Sequence, residues 1–158
     1  MSSMKNENVN SSVCVDASLI MRTLVPGSFS EESATLLATW QREKTSLIAP
    51  ALLSFEVTSV LRRLVYLQAV SPTLGDEAFA QFLRIPIRLS TRRTIFPLAW
   101  QLAKEFNRSR AYDTAYIALA QLSGCDFWTA DERLYNAVRH QLTWVKWIGD
   151  FKPNRELG

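Results

Sequence analysis

The sequence predicts an α/β fold in which a central parallel sheet of four to five strands carries helices on both faces. Short apolar runs alternate along the whole chain with longer segments of helical period. Those runs are nearly continuous in apolar residues, the pattern of strands covered on both sides. A length of 158 residues, at about 150 residues per domain, makes a single domain with a sizeable core.

The elements follow in order. Residues 1–11 are polar, rich in Asn and Ser, and are expected to form a disordered tail before a domain spanning 12–150. SVCVDAS reads as a first buried strand ending at Asp16, with a helix from Ser18 to Leu24. Pro26-Gly27-Ser28 breaks the chain, and Glu31 to Arg42 has helical spacing at Leu36, Leu37 and Trp40. SLIAP is the second strand. Two amphipathic helices follow, at 52–68 and from Ser71 to Arg84, the latter with Pro72 in its first turn.

IPIRLS is the third strand and Thr94 to Phe106 a helix. The segment from Asp113 to Leu122 is apolar nearly all round, as a buried helix is. CDFWTA, a short helix from Asp131 to Val138, and LTWVKW complete the alternation, and 151–158 is read as a C-terminal tail.

Composition excludes several classes. No apolar run approaches the roughly 18 residues that span a bilayer, since the longest charge-free stretches are about 12. The N-terminus lacks the apolar centre of an export signal, so a cytoplasmic location is expected. One His and two Cys build no zinc site, and Cys14 and Cys125 each sit in apolar segments as small hydrophobes. His140 is the single imidazole available to a triad and is read as an exposed or satisfied side chain. No glycine-rich phosphate loop follows any strand. Any chemistry here belongs to carboxylates and hydroxyls.

Ligands of open parallel sheets bind beyond the carboxyl ends of the strands. Asp16 and Asp131 follow strands one and four, Asp113 opens the buried helix, and Glu56 lies early in the helix after strand two. Helix capping accounts equally well for the three aspartates taken singly. Glu56 is different. It is flanked by Leu52, Leu53, Phe55, Val57, Val60 and Leu61, so its carboxylate is partly buried and requires a cation or a proton. Arg63 or a metal would each supply it. Ser18 and Thr129 lie two residues from an acid, suited to hold a water or a phosphate oxygen, although both are also common turn residues.

Net charge is only +3, but Arg84, Arg88, Arg92, Arg93, Lys104, Arg108 and Arg110 fall within one stretch that holds a single acid, Glu105. A solvated basic face or a phosphate-binding patch both explain this run. Acids able to hold a divalent cation, beside cations able to hold a polyanion, describe a metal-dependent nuclease. Oxygen ligands favour Mg²⁺ or Mn²⁺ over zinc. The five Trp residues are expected in the core, with Trp144 and Trp147 possible exceptions on opposite faces of one strand.

Four stretches, VCVDASLIMRTLV, APALLSFEVTSVLRR, RAYDTAYIALAQLSGCDFW and TADERLYNAV, occur in an order that resembles the PIN-domain ribonucleases of VapC toxin type. The resemblance spans residues 13–148. It implies a three-layer α/β/α sandwich and maps the family's acids onto Asp16, Glu56, Asp113 and Asp131, with Ser18 and Thr129 at the flanking hydroxyl positions. Many relatives carry Asn three residues after the Glu, where this chain has Ser59, a supporting hydroxyl expected to share a helix face with Glu56 and keep a polar contact there. The resemblance further implies hydrolysis of RNA to 5′-phosphate and 3′-hydroxyl ends with Mg²⁺ or Mn²⁺, a toxin role, an antitoxin partner and a homodimer. Residues 50–83 are the candidate dimer face. A non-catalytic nucleic-acid or protein-binding module on the same fold is the alternative. A receiver-like domain lacks support, because Val15-Asp16-Ala17 supplies one acid of the pair it needs and Lys146 lies inside the last strand, and a D-x-D phosphatase lacks it because Ala17-Ser18 replaces the second acid.

Overall fold

In a computed structural model, which describes residues 11–153, five strands pair in parallel. They are β1 (Ser12–Val15), β2 (Ser46–Pro50), β3 (Ile87–Ser90), β4 (Asp126–Thr129) and β5 (Val145–Trp147), ordered β3-β2-β1-β4-β5. Cys14 of β1 aligns with Ile48 of β2 on one side and Phe127 of β4 on the other. The disordered tail expected at the N-terminus lies, apart from Ser11, outside the described residues. Ser11 already belongs to the fold, since its carbonyl accepts the Ser46 N–H at 2.9 Å.

Parallel neighbours need crossovers, and right-handed crossovers assign the helices to faces. The chain moves from β1 outward through β2 to β3, which places α1 (Ala17–Leu24), α2 (Ser30–Arg42), α3 (Leu52–Tyr66) and α4 (Pro72–Arg84) on one face. It then returns past β1 to β4 and β5, which places α5 (Ile95–Glu105), α6 (Tyr112–Ser123) and α7 (Glu132–Val138) on the other. The three-layer α/β/α architecture follows.

Helix α6 crosses β1, β2 and β4, and every residue from Thr114 to Ala120 is buried. Its alanines let the backbone approach the sheet, while Tyr116 stacks on Phe127 with ring centres 6.1 Å apart. The Cys14 thiol, fully buried, donates to the Tyr116 carbonyl at 3.5 Å and otherwise packs as a small hydrophobe.

Two strands are shorter than their apolar runs suggest. Pro86 has no N–H for the ladder, so β3 begins at Ile87. Leu142 donates to the Val138 carbonyl and Val145 to that of Leu142, so residues 142–144 form the turn behind α7 and Trp144 precedes β5. Four of the five Trp residues are partly or wholly buried, and Trp100 on α5 is the exposed exception. The packed unit also reaches Phe151, whose ring meets Trp128 edge-on at 6.2 Å.

The order of strands has one consequence for function. β1 and β4 are adjacent, yet the chain leaves them toward opposite faces, into α1 and α7. A crevice therefore opens between their carboxyl ends. Phe127 supports it from below, so Phe127→Ala is expected to cost about 3–5 kcal/mol of stability. Urea denaturation of the two proteins measures this, and a smaller loss would mean that the core collapses around the gap.

Candidate active site

Each wall of the crevice is built by a helix start. Asp16, directly after β1, caps α1 by accepting the Leu19 N–H at 3.0 Å. Ser18 donates to the same oxygen at 2.7 Å, and Thr129, the last residue of β4, donates to the other. Ser18 and Thr129 hydroxyls also lie 3.2 Å apart. The network continues into the next turn, where the Ala130 N–H reaches Ser18 Oγ and the Asp131 N–H reaches Thr129 Oγ1, both at 3.0 Å.

Asp131 caps α7 with one oxygen, accepting from Arg133 and Leu134 N–H groups. Its Oδ2 makes no hydrogen bond among the described residues. Capping and a role in the crevice are therefore compatible in one carboxylate. Asp113 departs from the capping explanation, because it is the second residue of α6 and caps nothing. It instead pairs with Arg108 at 3.3 Å.

Glu56, half-buried on α3, accepts a 2.7 Å hydrogen bond from the Tyr116 hydroxyl of α6. Sequence offered Arg63 as a partner, but Arg63 lies on the outward side of α3 beside Thr58, Ser59, Arg62 and Tyr66. Ser59 goes with it. At 100° per residue, Val60 and not Ser59 stays in line with Glu56 along the cavity, so the expected Ser59 contribution has no place among the acids.

The four acids come together. Asp16, Glu56, Asp113 and Asp131 line one cavity of about 500 Å³ with Ser18, Tyr116 and Arg22. Thr129 stands behind Asp16. Tyr116 and Arg22 were missed from sequence, the first hidden in an apolar helix, the second in a short amphipathic one.

A larger cavity, about 640 Å³, opens at the amino ends of β2 and β3 and is lined by no carboxylate. Arg84 and Arg88 belong there with Lys44. Arg92 and Arg93 lie in the turn after β3, and Arg110 is exposed just before α6. The basic stretch thus does not make one continuous patch. Arg108 alone touches an acid of the crevice.

Burial makes Asp16 and Glu56 costly to ionise. Asp16 is pushed up to about 6, mainly by burial, against the lowering effect of the Ser18 and Thr129 hydroxyls and the Leu19 N–H, with a small contribution from Asp113. Glu56 is raised for the same reason, partly offset by Tyr116. The Tyr116 hydroxyl is itself raised strongly by burial and its bond to Glu56, which keeps it a donor.

These oxygens suit a hard divalent cation, which would neutralise the charge that burial penalises. Among the described residues no three acids stand close enough to hold one without side-chain rotation. Arg108 holds Asp113 and Tyr116 holds Glu56.

A family model described as the PIN domain matches residues 13–139, so the chain belongs to the PIN-domain family. It is 29% identical over 129 residues to VapC ribonuclease Mb0985 of Mycobacterium bovis, covering 82% of this chain and 93% of that one. Ribonuclease VapC9 of Mycobacterium tuberculosis matches with the same identity and coverage.

Because folded Asp16 holds its proton more tightly than an ordinary carboxyl, protonation favours the native state. That stability is complete below about pH 4 and is lost as pH rises through about 6. Asp16→Asn removes the buried charge and is expected to stabilise the metal-free protein by about 2–3 kcal/mol at pH 7.5. The gain should shrink below pH 6 and vanish near pH 4, read by urea denaturation in EDTA. A gain independent of pH would show that ionisation of Asp16 is not its source.

Proposed function

We propose that this chain is a metal-dependent endoribonuclease, the toxin of a type II toxin–antitoxin pair, which hydrolyses RNA to 5′-phosphate and 3′-hydroxyl ends. The observation that carries this function is the meeting of Asp16, Glu56, Asp113 and Asp131, from four separate parts of the chain, in one cavity at the β1/β4 crevice. Relatives named as ribonucleases over most of the chain's length agree with it.

Mg²⁺ or Mn²⁺ fits the donor set, and such an ion lowers the pKa of a water and neutralises charge on a scissile phosphate. Asp16 would be the ligand held most firmly. Its two oxygens are aimed by Ser18, Thr129 and the Leu19 N–H, so it keeps one orientation whether or not its charge is compensated. Asp131 offers the oxygen its cap does not use, and Glu56 offers the oxygen Tyr116 does not hold. Asp113, now paired with Arg108, would be the fourth carboxylate to hold the ion, and Arg108 would then be available to an RNA phosphate. No imidazole base is needed, in keeping with the single, exposed His140.

Partners follow from the same assignment: an RNA substrate, a cognate antitoxin protein and a second copy of the chain, in the cytoplasm. No helix among the described residues is long and apolar enough to cross a membrane. Phe55, Tyr66, Leu67, Leu74 and Leu83 on and between α3 and α4 are exposed, an apolar surface that supports a homodimer.

The test is cleavage of a structured RNA pool in Mg²⁺ or Mn²⁺. Cutting should stop in EDTA, leave 5′-phosphate ends, and fall about 100-fold or more in Asp113→Asn. A protein that neither cuts RNA nor binds Mn²⁺ would overturn the proposal and return the fold to a non-catalytic binding module.

A further inference from the structure

The cavity that holds the acids extends well beyond them. α1 and α3 both start at the carboxyl rim of the sheet and run the same way, side by side. Each lends a stripe to the cavity: Ser18, Met21, Arg22 and Val25 from α1, and Glu56, Val60 and Leu64 from α3. These spacings are those of one helix face. From Glu56 to Leu64 the groove runs about 12 Å, at 1.5 Å per residue. It starts polar at the carboxylates and ends apolar.

Arg22 stands on the wall between the two ends. It shares a cavity with four carboxylates, yet it makes no ion pair among the described residues, in contrast to Arg108. A cation left unneutralised beside an acidic cluster is placed to meet an anion that comes in from solvent. Beyond it, Met21, Val25, Val60 and Leu64 present aliphatic surface that water wets poorly. Cation and apolar slot together match a nucleotide, with its phosphate on the first and its base in the second. A volume of about 500 Å³ leaves room for one such group beside the carboxylates.

We propose that the α1–α3 end of the cavity is a nucleoside subsite in which Arg22 binds a phosphate flanking the scissile bond and Met21, Val25, Val60 and Leu64 receive the base of an unpaired nucleotide. It rests on the nuclease function proposed above and narrows the substrate to single-stranded or looped RNA. A base stacked and paired within a duplex presents only its edges and cannot enter a slot between two helices. No aromatic side chain lines that end of the slot, so the base is held by desolvation and dispersion, and recognition there tolerates sequence. Arg22 is thus a substrate-positioning residue with no part in holding the ion.

The test uses the full chain in an Asp113→Asn background with EDTA, which suppresses cutting, and a fluorescein-labelled pool of random single-stranded RNA heptamers. Arg22→Gln should weaken binding about tenfold and lower the slope of log K against log salt by about 0.7, the loss of one phosphate contact. Arg22→Lys should keep the slope, because the charge remains. Val60→Trp, at a position 39% exposed, should weaken binding and leave the slope unchanged by filling the slot. A duplex of equal length should compete at least tenfold less well. An unchanged slope in Arg22→Gln, or equal competition by duplex, overturns the subsite and leaves the groove to a protein partner. Wild-type protein that cuts RNA without any Arg22 dependence sinks the subsite alone. Arg22-dependent binding in a protein that never cuts sinks the nuclease function and keeps the subsite.

Discussion

A buried carboxylate holds the centre of this molecule together. Asp16 accepts hydrogen bonds from the Leu19 N–H of the helix it caps, from the Ser18 hydroxyl in that helix's first turn, and from Thr129 at the end of the neighbouring strand. Thr129 and Ser18 in turn accept the N–H groups of Asp131 and Ala130, which begin the turn into α7. Through this one side chain, β1, α1, β4 and α7 are fastened at a place where adjacent strands send the chain to opposite faces. The same burial that makes the knot rigid raises the acid to about 6, so the fold carries a group whose charge it does not itself neutralise. Stability and function pull in opposite directions at that atom, as they do wherever a site is organised before its ligand arrives.

The other acids are restrained more loosely, and each by a different device. Asp131 is committed by one oxygen to a helix start. Glu56 leans on a phenol from the helix of the opposite layer, so its position depends on the stacking of Tyr116 upon Phe127 and hence on the core. Asp113 is held by an ion pair whose members are 29% and 42% exposed, which solvent screens and a stronger cation displaces. The cavity is therefore rigid on the Asp16 side and adaptable on the Asp113 side.

Charge is laid out with similar economy. Seven basic residues crowded into one stretch of sequence suggested one surface, yet β3 runs through that stretch and separates its ends. Arg84 and Arg88 go to the far cavity, Arg92 and Arg93 to the carboxyl-end turn, and Arg108 to an acid. Proximity in sequence is proximity in space only within an element, and a strand crossing the sheet undoes it.

What the sequence determined by itself was the layered α/β fold and a choice of four candidate acids, which the structure brings to one cavity. Alternating apolar runs and helical periods admit few parallel topologies, and the end of each strand is marked by a polar residue that cannot enter the core, Asp16 and Asp131 above all. Glu56 was legible because a lone acid among Leu53, Val57 and Leu61 demands a partner. Tertiary structure alone decided which partner. Tyr116 is sixty residues away from Glu56, and in the sequence nothing separates it from the buried apolar residues around it on α6. The exclusion of Ser59 turned on the rotation of one helix, and the recruitment of Arg22 on the packing of α1 against α3. Those are relations between elements, and local spacing carries only the geometry within each one.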